Sequence, residues 1–273
     1  MIEVMHDKSP EGIADYVEYF IISSGKSISK AKISKLFPDI EEEVVDSVFG
    51  ELENRNKLYG NCSPILLKRK IVKPNFNWKN APELMLCLIF SLEGVKKKKG
   101  KDDGTKLFER LSKEVARNYL SGEAEVIGFP ADCNLKEHIT KICKKAYEVR
   151  GSRSPLATDK DVGVDIIAWK PHGDKRSNQV IMLLQCAAGI HYDSKLPISL
   201  TAWREFINWS VAPLKGIVLP SILSNEDWNK VRDNHDLIFD RVRIHRALHG
   251  KEFDSELKKQ MIRWCSKKIK ASS

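Results

Sequence analysis

Two strongly apolar segments joined by a polar loop constrain the fold of this chain more than any other feature. Residues 162–169 (VGVDIIAW) and 179–187 (QVIMLLQCA) are rich in aliphatic side chains, whereas residues 170–178 (KPHGDKRSN) are polar. Apolar runs of this length around a polar loop predict two buried β-strands that pair as an antiparallel hairpin. Asp165 lies near the start of the first strand and Gln185 near the end of the second. The hairpin therefore brings both polar side chains to the same edge of a sheet.

Helices and strands alternate around this hairpin. Helical spacing of apolar residues predicts some of the elements, and short apolar runs predict the others. The predicted elements are helices over residues 105–120, 135–149 and 201–209, strands over 125–129 and 216–219, and a C-terminal helix over 254–270. The order of helix, three strands, helix and strand predicts an α/β fold with an αβββαβ core.

The first third of the chain predicts a separate, mainly helical module. Helices are predicted over residues 12–23, 29–37 and 41–59, followed by a β-ribbon over 65–72. This order resembles a winged-helix module, in which the third helix would enter a DNA groove. That helix begins here with Glu41-Glu42-Glu43, and carboxylates repel phosphates. We therefore expect a winged-helix-like domain that contacts protein, and the sequence argues against a transcription regulator that reads DNA with this helix.

A buried helix and a basic segment follow this module. Residues 80–93 (NAPELMLCLIFSLE) are apolar on nearly all sides, which predicts a buried helix between the two parts of the chain. For the basic run KKKKGK at 96–101, two interpretations stay open, a mobile solvated linker and a phosphate-binding arm. The predicted organisation is a winged-helix-like domain over residues 1–75, this helix and linker over 76–103, and the α/β domain over 104–273.

Charge is distributed unevenly along the chain. The sequence has 46 Lys and Arg against 37 Asp and Glu, which gives a net charge of +9. Residues 1–75 carry a net charge of −1, so the remainder carries +10. A basic balance favours polyanionic partners. We therefore expect any nucleic acid, with DNA the favoured class, to bind through residues 96–273.

Cysteine content and hydropathy indicate the cellular compartment of the protein. The six cysteines are scattered, without a CxxC pair or a Cys/His cluster at zinc spacing. No basic stretch followed by an apolar stretch marks a signal peptide at the N-terminus. The longest apolar run, residues 84–92, is far shorter than the roughly 20 residues that span a bilayer. We expect a reduced, cytoplasmic protein with no membrane partner, whose oligomeric state the sequence leaves open.

Three oxygen-bearing side chains are candidates for one site. Asp165 and Gln185 lie on the two hairpin strands, and Glu109 lies on the helix that precedes the sheet. Mg²⁺ or Mn²⁺ binds oxygen ligands and keeps several waters, so two or three protein oxygens suffice. A turn centred on residues 174–175 pairs Asp165 with Leu184 and leaves Gln185 one residue away, which a β-bulge would correct. The simpler explanation is a turn cap at Asp165, a backbone contact at Gln185 and a helical ion pair at Glu109.

These residues resemble the motifs of the PD-(D/E)xK nuclease superfamily, and most of all its Mrr-like restriction endonuclease branch. Members carry a G-x-x-F-E helix, a G-x-D strand and a following strand that ends in Q-x-K or E-x-K. The resemblance covers about residues 104–220. Gly104, Phe108 and Glu109 match the first motif, with one extra residue between the glycine and the phenylalanine. Gly163 and Asp165 match the second motif, and Gln185 matches half of the third. The resemblance implies a restriction-endonuclease-like core and DNA hydrolysis.

The motif lysine is absent. Two positions after Gln185, where the family places a lysine that orients or activates the attacking water, this chain has Ala187. Lys195, Lys170 and Lys160 are the nearby cations. Lys170 lies about 16 Å along a strand from Asp165, which is too far. We expect Lys195, just beyond the second strand, to be the charge partner.

Two further candidates are weaker. Cys186 is a conceivable nucleophile, but its apolar strand favours a buried, unreactive thiol. His245 and His249 are four residues apart without the glutamate of an H-E-x-x-H zinc motif. We expect these two histidines to lie on a basic, exposed helix face.

Two functions follow from this sequence. The first is a metal-dependent nuclease that cleaves DNA phosphodiester bonds, in an antiphage or restriction defence system. Its site would contain Asp165 as principal metal ligand, Gln185 as second ligand, Glu109 as outer ligand and Lys195 as charge partner. The alternative is a catalytically degenerate nuclease fold that binds nucleic acid or a partner protein, and the missing lysine favours it.

Overall fold

The chain folds into two compact units. The computed structural model describes residues 7–93, 104–127, 134–156, 162–189, 192 and 195–271. The first unit consists of Met1–Gly100 and Arg241–Ser273, and the second of Lys101–Asp240. The predicted organisation divides the chain near residue 104, and residues 241–273, which it assigns to the α/β domain, lie in the first unit.

The first unit begins with three helices at the predicted places. They are α1 (Pro10–Ser24), α2 (Lys30–Leu36) and α3 (Glu42–Tyr59). Ser9 caps α1 by accepting a hydrogen bond from the Gly12 N–H, and Gly25 ends the helix with a φ of 69°. Ser29 caps α2 in the same way. Local capping and helical periodicity explain why these boundaries follow from the sequence.

A small antiparallel sheet accompanies these helices. Its strands are β1 (Ile28–Ser29), β2 (Ile65–Lys68) and β3 (Ile71–Pro74), in the order β1-β3-β2. The predicted ribbon over residues 65–72 is thus a β2–β3 hairpin that extends two residues further. The sequence did not predict β1, because a two-residue strand exists only through its pairing with β3.

Three more helices complete the first unit: α4 (Pro82–Glu93), α9 (Arg241–Leu248) and α10 (Ser255–Ala271). Pro82 to Phe90 are all buried, and α4 packs against α1, α9 and α10. The apolar helix is therefore an interior helix of the first unit, not a connection between two parts. The basic run at 96–101 lies outside the described residues.

A buried charge network explains why the C-terminal segment belongs to the first unit. Arg241 places its Nη2 2.5 Å from Asp15 Oδ1 and 3.0 Å from Glu18 Oε2. Arg55 places its Nη1 2.5 Å from the same Asp15 oxygen. Burial alone would raise the pKa of Asp15, but the charges of Arg241 and Arg55 outweigh it and hold that pKa well below its ordinary value. The network thus fixes α9 against α1 and α3.

The second unit is an α/β domain built on a five-stranded sheet. Its elements are α5 (Gly104–Leu120), β4 (Glu123–Val126), α6 (Leu135–Ala146), β5 (Val149–Arg150), β6 (Ile166–Lys170), β7 (Val180–Cys186), α7 (Leu200–Phe206), β8 (Ile207–Asn208), β9 (Leu214–Val218), α8 (Asn225–Arg232) and β10 (Leu237–Phe239). The main sheet has the order β10-β9-β7-β6-β4, and β5 pairs with β8 in a separate ladder.

The strand directions give the sheet two halves. β4, β6 and β7 form an antiparallel meander, whereas β9 runs parallel to β7 and β10 parallel to β9. The connection from β7 to β9 contains α7, as a parallel crossover requires. The described topology therefore contains the predicted αβββαβ order, with α6 and β5 between the first two strands of the meander and β10 added at the edge.

The sheet of the second unit is covered on both faces. One face carries an apolar cluster that includes Trp169, Leu183, Trp203 and Phe206, with residues of α6 packed against them. α5 packs against β6 and β7. Burial on both faces explains why β6 and β7 are continuous apolar runs without alternation. In the described part of the chain, no helix is both long and apolar enough to cross a bilayer.

Candidate functional site

Asp165 lies in the tight turn that leads into β6. Val162 and Gly163 precede it with φ values of 49° and 76°, so the chain turns through the left-handed region before the strand begins. The Asp165 N–H donates to the Leu184 carbonyl at 2.9 Å, and the next residue, Ile166, pairs with Leu184. Continued by one residue, this register places Asp165 opposite Gln185.

The observed register differs by one residue from the predicted one. Counting from a turn at 174–175 pairs Asp165 with Leu184, but Leu184 pairs with Ile166. The loop between β6 and β7 is centred on Lys175, whose φ is 61°, and this shifts the pairing. No β-bulge is needed, because the shift itself brings Asp165 and Gln185 to the same edge.

One residue of β7, Cys186, links two of the predicted site residues. Its backbone N–H donates to Asp165 Oδ2 at 2.6 Å. Its backbone carbonyl accepts a hydrogen bond from Lys195 Nζ at 2.7 Å. The carboxylate and the ammonium are therefore anchored to the two polar backbone groups of a single strand residue. Charge-assisted hydrogen bonds of this length are among the stronger ones in proteins.

The Cys186 thiol is buried, and its pKa is shifted. Burial raises the pKa of this thiol well above its ordinary value, and the negative charges of Asp165 and Glu109 raise it further, whereas the Ser112 hydroxyl and the charge of Lys195 lower it. The thiol therefore stays protonated. Cys186 is buried and unreactive, as expected, and it is not a nucleophile. Glu109 lies on α5, which packs against β6 and β7.

Sequence reasoning missed Ser112, which lies one helical turn after Glu109 on α5. Its hydroxyl donates to the Phe108 carbonyl at 2.8 Å and lowers the pKa of the Cys186 thiol. Ser112 is completely buried. The spacing of three residues from Glu109 is the signal that could have found it, because residues three apart share a helix face.

Gln185 presents a buried oxygen without a hydrogen bond. Only 5% of the residue is exposed, and its Oε1 has no hydrogen-bond partner among the described residues. A Cβ added at Gly163 would lie 3.4 Å from Gln185 Nε2, so the turn before β6 lies against this amide. An unsatisfied buried amide costs about 1–3 kcal/mol. Such an oxygen is suited to a ligand that supplies positive charge or a donor.

Ala187, at the position where the family has its lysine, is part of the hydrophobic core. It is 1% exposed and belongs to an apolar cluster with Ile217, Leu219 and Val231. A lysine side chain at this position would therefore place its ammonium group among apolar side chains and away from water. Lys170, at the far end of β6, donates to the Ser121 carbonyl at 3.1 Å.

Lys195 is thus the candidate that reaches Cys186. It is exposed, so its ammonium is open to solvent while it holds the strand carbonyl. The third candidate, Lys160, lies outside the described residues.

The chemistry of the donor set is that of a hard cation. Asp165 and Glu109 contribute carboxylates and Gln185 an amide oxygen, which are the ligand types that Mg²⁺ and Mn²⁺ prefer. Within the described ranges, no three His, Cys, Asp or Glu side chains lie close enough together to hold a metal ion. A cation held by Asp165, Glu109 and Gln185 would therefore depend on the amide oxygen and on water. This triad of metal ligands stays a prediction.

The prediction for His245 was wrong. The imidazole is completely buried, with Nδ1 2.9 Å from Glu83 Oε1 and Nε2 2.9 Å from the Cys62 carbonyl. Because a carbonyl only accepts, Nε2 carries a proton. His249 is exposed as predicted. A histidine between a carboxylate and a carbonyl is a satisfied core group, and it explains part of the packing of α9 on α4.

Comparison with known proteins gives little beyond this geometry. No protein-family model matches the chain, and no curated protein matches it. Among solved structures, the restriction endonuclease FokI matches with 10% sequence identity and a TM-score of 0.23, over 92% of this chain and 46% of that chain. The chain thus spans about half the length of that structure, and the likeness is weak.

Proposed function

We propose that this chain is a metal-dependent nuclease that cleaves DNA phosphodiester bonds. The observation that carries the proposal is the anchoring of Asp165 and Lys195 to the N–H and the carbonyl of Cys186, at 2.6 and 2.7 Å. A carboxylate and an ammonium that are both anchored to one residue at a sheet edge suit a reaction that needs a metal ligand and a cation for phosphate charge.

The residues of the site have distinct roles in this proposal. Asp165 is the principal ligand of Mg²⁺ or Mn²⁺, Gln185 supplies a second oxygen through Oε1, and Glu109 is an outer ligand. When bound, the ion supplies an activated water and stabilises the leaving oxygen. The hydrogen bond from Cys186 N–H fixes the Asp165 carboxylate, so that little reorganisation is needed at the moment of reaction.

Lys195 takes the role of the absent motif lysine. Its ammonium offsets the negative charge that develops on the scissile phosphate, while the Cys186 carbonyl holds it in place. Because Lys195 comes from the segment after β7 and not from the strand itself, the buried Ala187 does not preclude hydrolysis.

The topology of the second unit supports the proposed membership of the PD-(D/E)xK superfamily. In this sheet, an antiparallel β4-β6-β7 meander is followed by a parallel β9, Asp165 immediately precedes β6, and Gln185 lies near the end of β7. The proposed setting is an antiphage or restriction defence system. Phage plating on cells that express the chain or its Asp165→Asn variant tests that setting, and equal plating on both strains contradicts it.

The winged-helix-like N-terminal part is proposed to contact protein. The helix-strand-helix-helix-hairpin order and the β1-β3-β2 sheet support the winged-helix assignment. Lys30 pairs with Glu42 and Asp46 at 3.1 and 2.6 Å, which compensates part of the negative charge at the start of α3. Glu41 and Glu43 stay exposed and disfavour a phosphate backbone.

A degenerate nuclease fold is the second candidate function. The observation that favours it is Ala187, which is packed into an apolar cluster at the position where the family has its lysine. A chain of this kind would bind nucleic acid or a partner protein without cleaving. The two candidates differ in one measurable property, the metal-dependent cleavage of DNA.

Plasmid cleavage with Mg²⁺ or Mn²⁺ separates the two functions. The test variant is Asp165→Asn, which keeps an oxygen to accept the Cys186 N–H, and the control is Asp174→Asn. Asp174 is exposed in the loop at the opposite end of the hairpin and accepts only a local hydrogen bond from Arg176 N–H. Cleavage that is lost in Asp165→Asn and kept in Asp174→Asn supports the nuclease. DNA binding without cleavage by the unmodified chain supports the degenerate alternative, and equal cleavage by both variants contradicts the proposed site.

A further inference from the structure

The C-terminal helix α10 presents an unbroken basic stripe to solvent. Lys259, Arg263, Lys267 and Lys270 are all exposed and follow one another at intervals of four, four and three residues. Residues at this spacing share one face of an α-helix. At 1.5 Å per residue the stripe is about 16 Å long.

The charges of this stripe are not compensated. None of the four side chains forms an ion pair with another described residue, and Glu256 in the first turn is the one acidic residue of α10. Other lysines of the protein differ in this respect. Lys141 and Lys145 on α6 both pair with Glu125, at 3.1 and 2.7 Å.

The helix dipole does not account for the stripe. Cations near a helix C-terminus are stabilised by the dipole, which explains Lys267 and Lys270. Lys259 lies in the second turn and Arg263 in the middle of the helix, where this effect is absent or unfavourable. The dipole therefore accounts for at most half of the stripe.

The packing of the opposite face of α10 excludes insertion of this helix into a lipid surface. An amphipathic helix binds membranes by burying its apolar face in the headgroup region. In α10 that face consists of Leu257, Met261 and Cys265, which are at most 1% exposed, and α10 packs against α4. Because the apolar face is already occupied, only the charged face is open to a partner.

We propose that the Lys259–Arg263–Lys267–Lys270 stripe binds the phosphate backbone of nucleic acid. A polyanion matches four exposed cations in a row, and the stripe is as long as about five phosphates of one DNA strand at an axial rise of 3.4 Å. The inference rests on the proposed nuclease function and deepens it, because it assigns substrate binding to residues of the first unit, whereas the candidate catalytic residues belong to the second.

The test is the salt dependence of DNA binding by the full chain. In the quadruple variant Lys259→Gln, Arg263→Gln, Lys267→Gln, Lys270→Gln, the slope of log affinity against log salt should become shallower by up to about 3.6, since each lost phosphate contact contributes about 0.9. The matched control replaces four exposed lysines scattered over the same unit, namely Lys26→Gln, Lys35→Gln, Lys57→Gln and Lys79→Gln. Both variants lower the net charge from +9 by the same four units.

The outcomes separate this inference from the proposed function. A shallower slope in the stripe variant and an almost unchanged slope in the control support it. Equal slopes in both variants, or tighter binding of the unmodified chain to anionic phosphatidylserine vesicles than to DNA, overturn it. Plasmid cleavage by the unmodified chain and by Asp165→Asn is measured in parallel. Cleavage that requires Asp165 supports the nuclease proposal even if the stripe variant binds DNA normally. An effect of the stripe variant on DNA binding without Asp165-dependent cleavage supports only the stripe.

Discussion

The two units bury polar groups in different ways. In the first unit, Asp15 and Glu18 pair with Arg55 and Arg241 in an interior where the two arginines are at most 1% exposed. In the second unit, Asp165 and Lys195 are tied to the backbone of Cys186, and Lys195 is exposed. Charges that face each other hold a fold together, whereas charges that face the backbone and remain accessible are available to a ligand. The four predictions that follow test this difference.

The largest effect is expected from breaking the network of the first unit. Arg241→Met should lower the free energy of unfolding by about 3–5 kcal/mol, because it removes one of the two arginines that face the buried Asp15 and Glu18. Denaturant unfolding measures this change. The control is Arg246→Met on the same helix, where an exposed side chain loses one hydrogen bond to the Leu58 carbonyl. A similar decrease in the free energy of unfolding in both variants would contradict the stabilising role of the buried charge network.

The corresponding change in the second unit should affect activity and not stability. Lys195→Gln should slow plasmid cleavage about 100-fold, since it removes the cation that the Cys186 carbonyl holds. Unfolding should change little, because Lys195 is exposed. Lys170→Gln at the far end of β6 is the control and should cleave normally. A Lys195→Gln variant that unfolds more easily but cleaves at the normal rate would make Lys195 structural, like the arginines of the first unit.

These two sites also show how far the sequence could predict the structure. The ends of β6 and β7 followed from apolar runs and turn residues, so Asp165 and Gln185 could be identified. Helical periodicity likewise placed α1, α3 and α5. Arg241 and His245 could not be recognised as buried, because their partners Asp15 and Glu83 lie 226 and 162 residues away. The role of the Cys186 backbone also depends on a strand register that one residue of loop length decides.

The third effect is the pH dependence of the first unit. The arginines hold the pKa of Asp15 below its value in the unfolded chain, about 3.9. A lowered carboxyl pKa contributes stability that is fully present above the unfolded pKa and is lost as the pH falls below it. Glu18 acts in the opposite direction, because burial raises its pKa despite the arginines.

The contribution of Asp15 is measured as a difference between two proteins. Urea unfolding between pH 5 and about 2.5 should show a steeper loss of stability on acidification for the unmodified chain than for Asp15→Asn. Tyr16, the next residue, is not part of the network, so Tyr16→Phe serves as the control for a change at this place in α1. Parallel pH profiles for the unmodified chain and Asp15→Asn would show that the network does not stabilise the Asp15 carboxylate.

The smallest effect concerns the amide oxygen of Gln185, and it separates a ligand from a packing defect. Gln185→Met removes a buried oxygen without a partner, so without divalent ions the protein should become more stable by about 1 kcal/mol. The same variant should lose any stabilisation by Mg²⁺ or Mn²⁺, because ligands stabilise the state that binds them.

Gln179 offers a matched control at the other end of β7. Its Oε1 is also buried without a partner, but its Nε2 donates to the Arg176 carbonyl at 2.8 Å. Gln179→Met should therefore not gain stability, and it should keep the response to the metal ion. Thermal unfolding with and without Mg²⁺ measures both properties. If the ion changes the thermal stability of the two variants equally, Gln185 is not a metal ligand. Its side-chain oxygen is then a buried polar group with a structural role only.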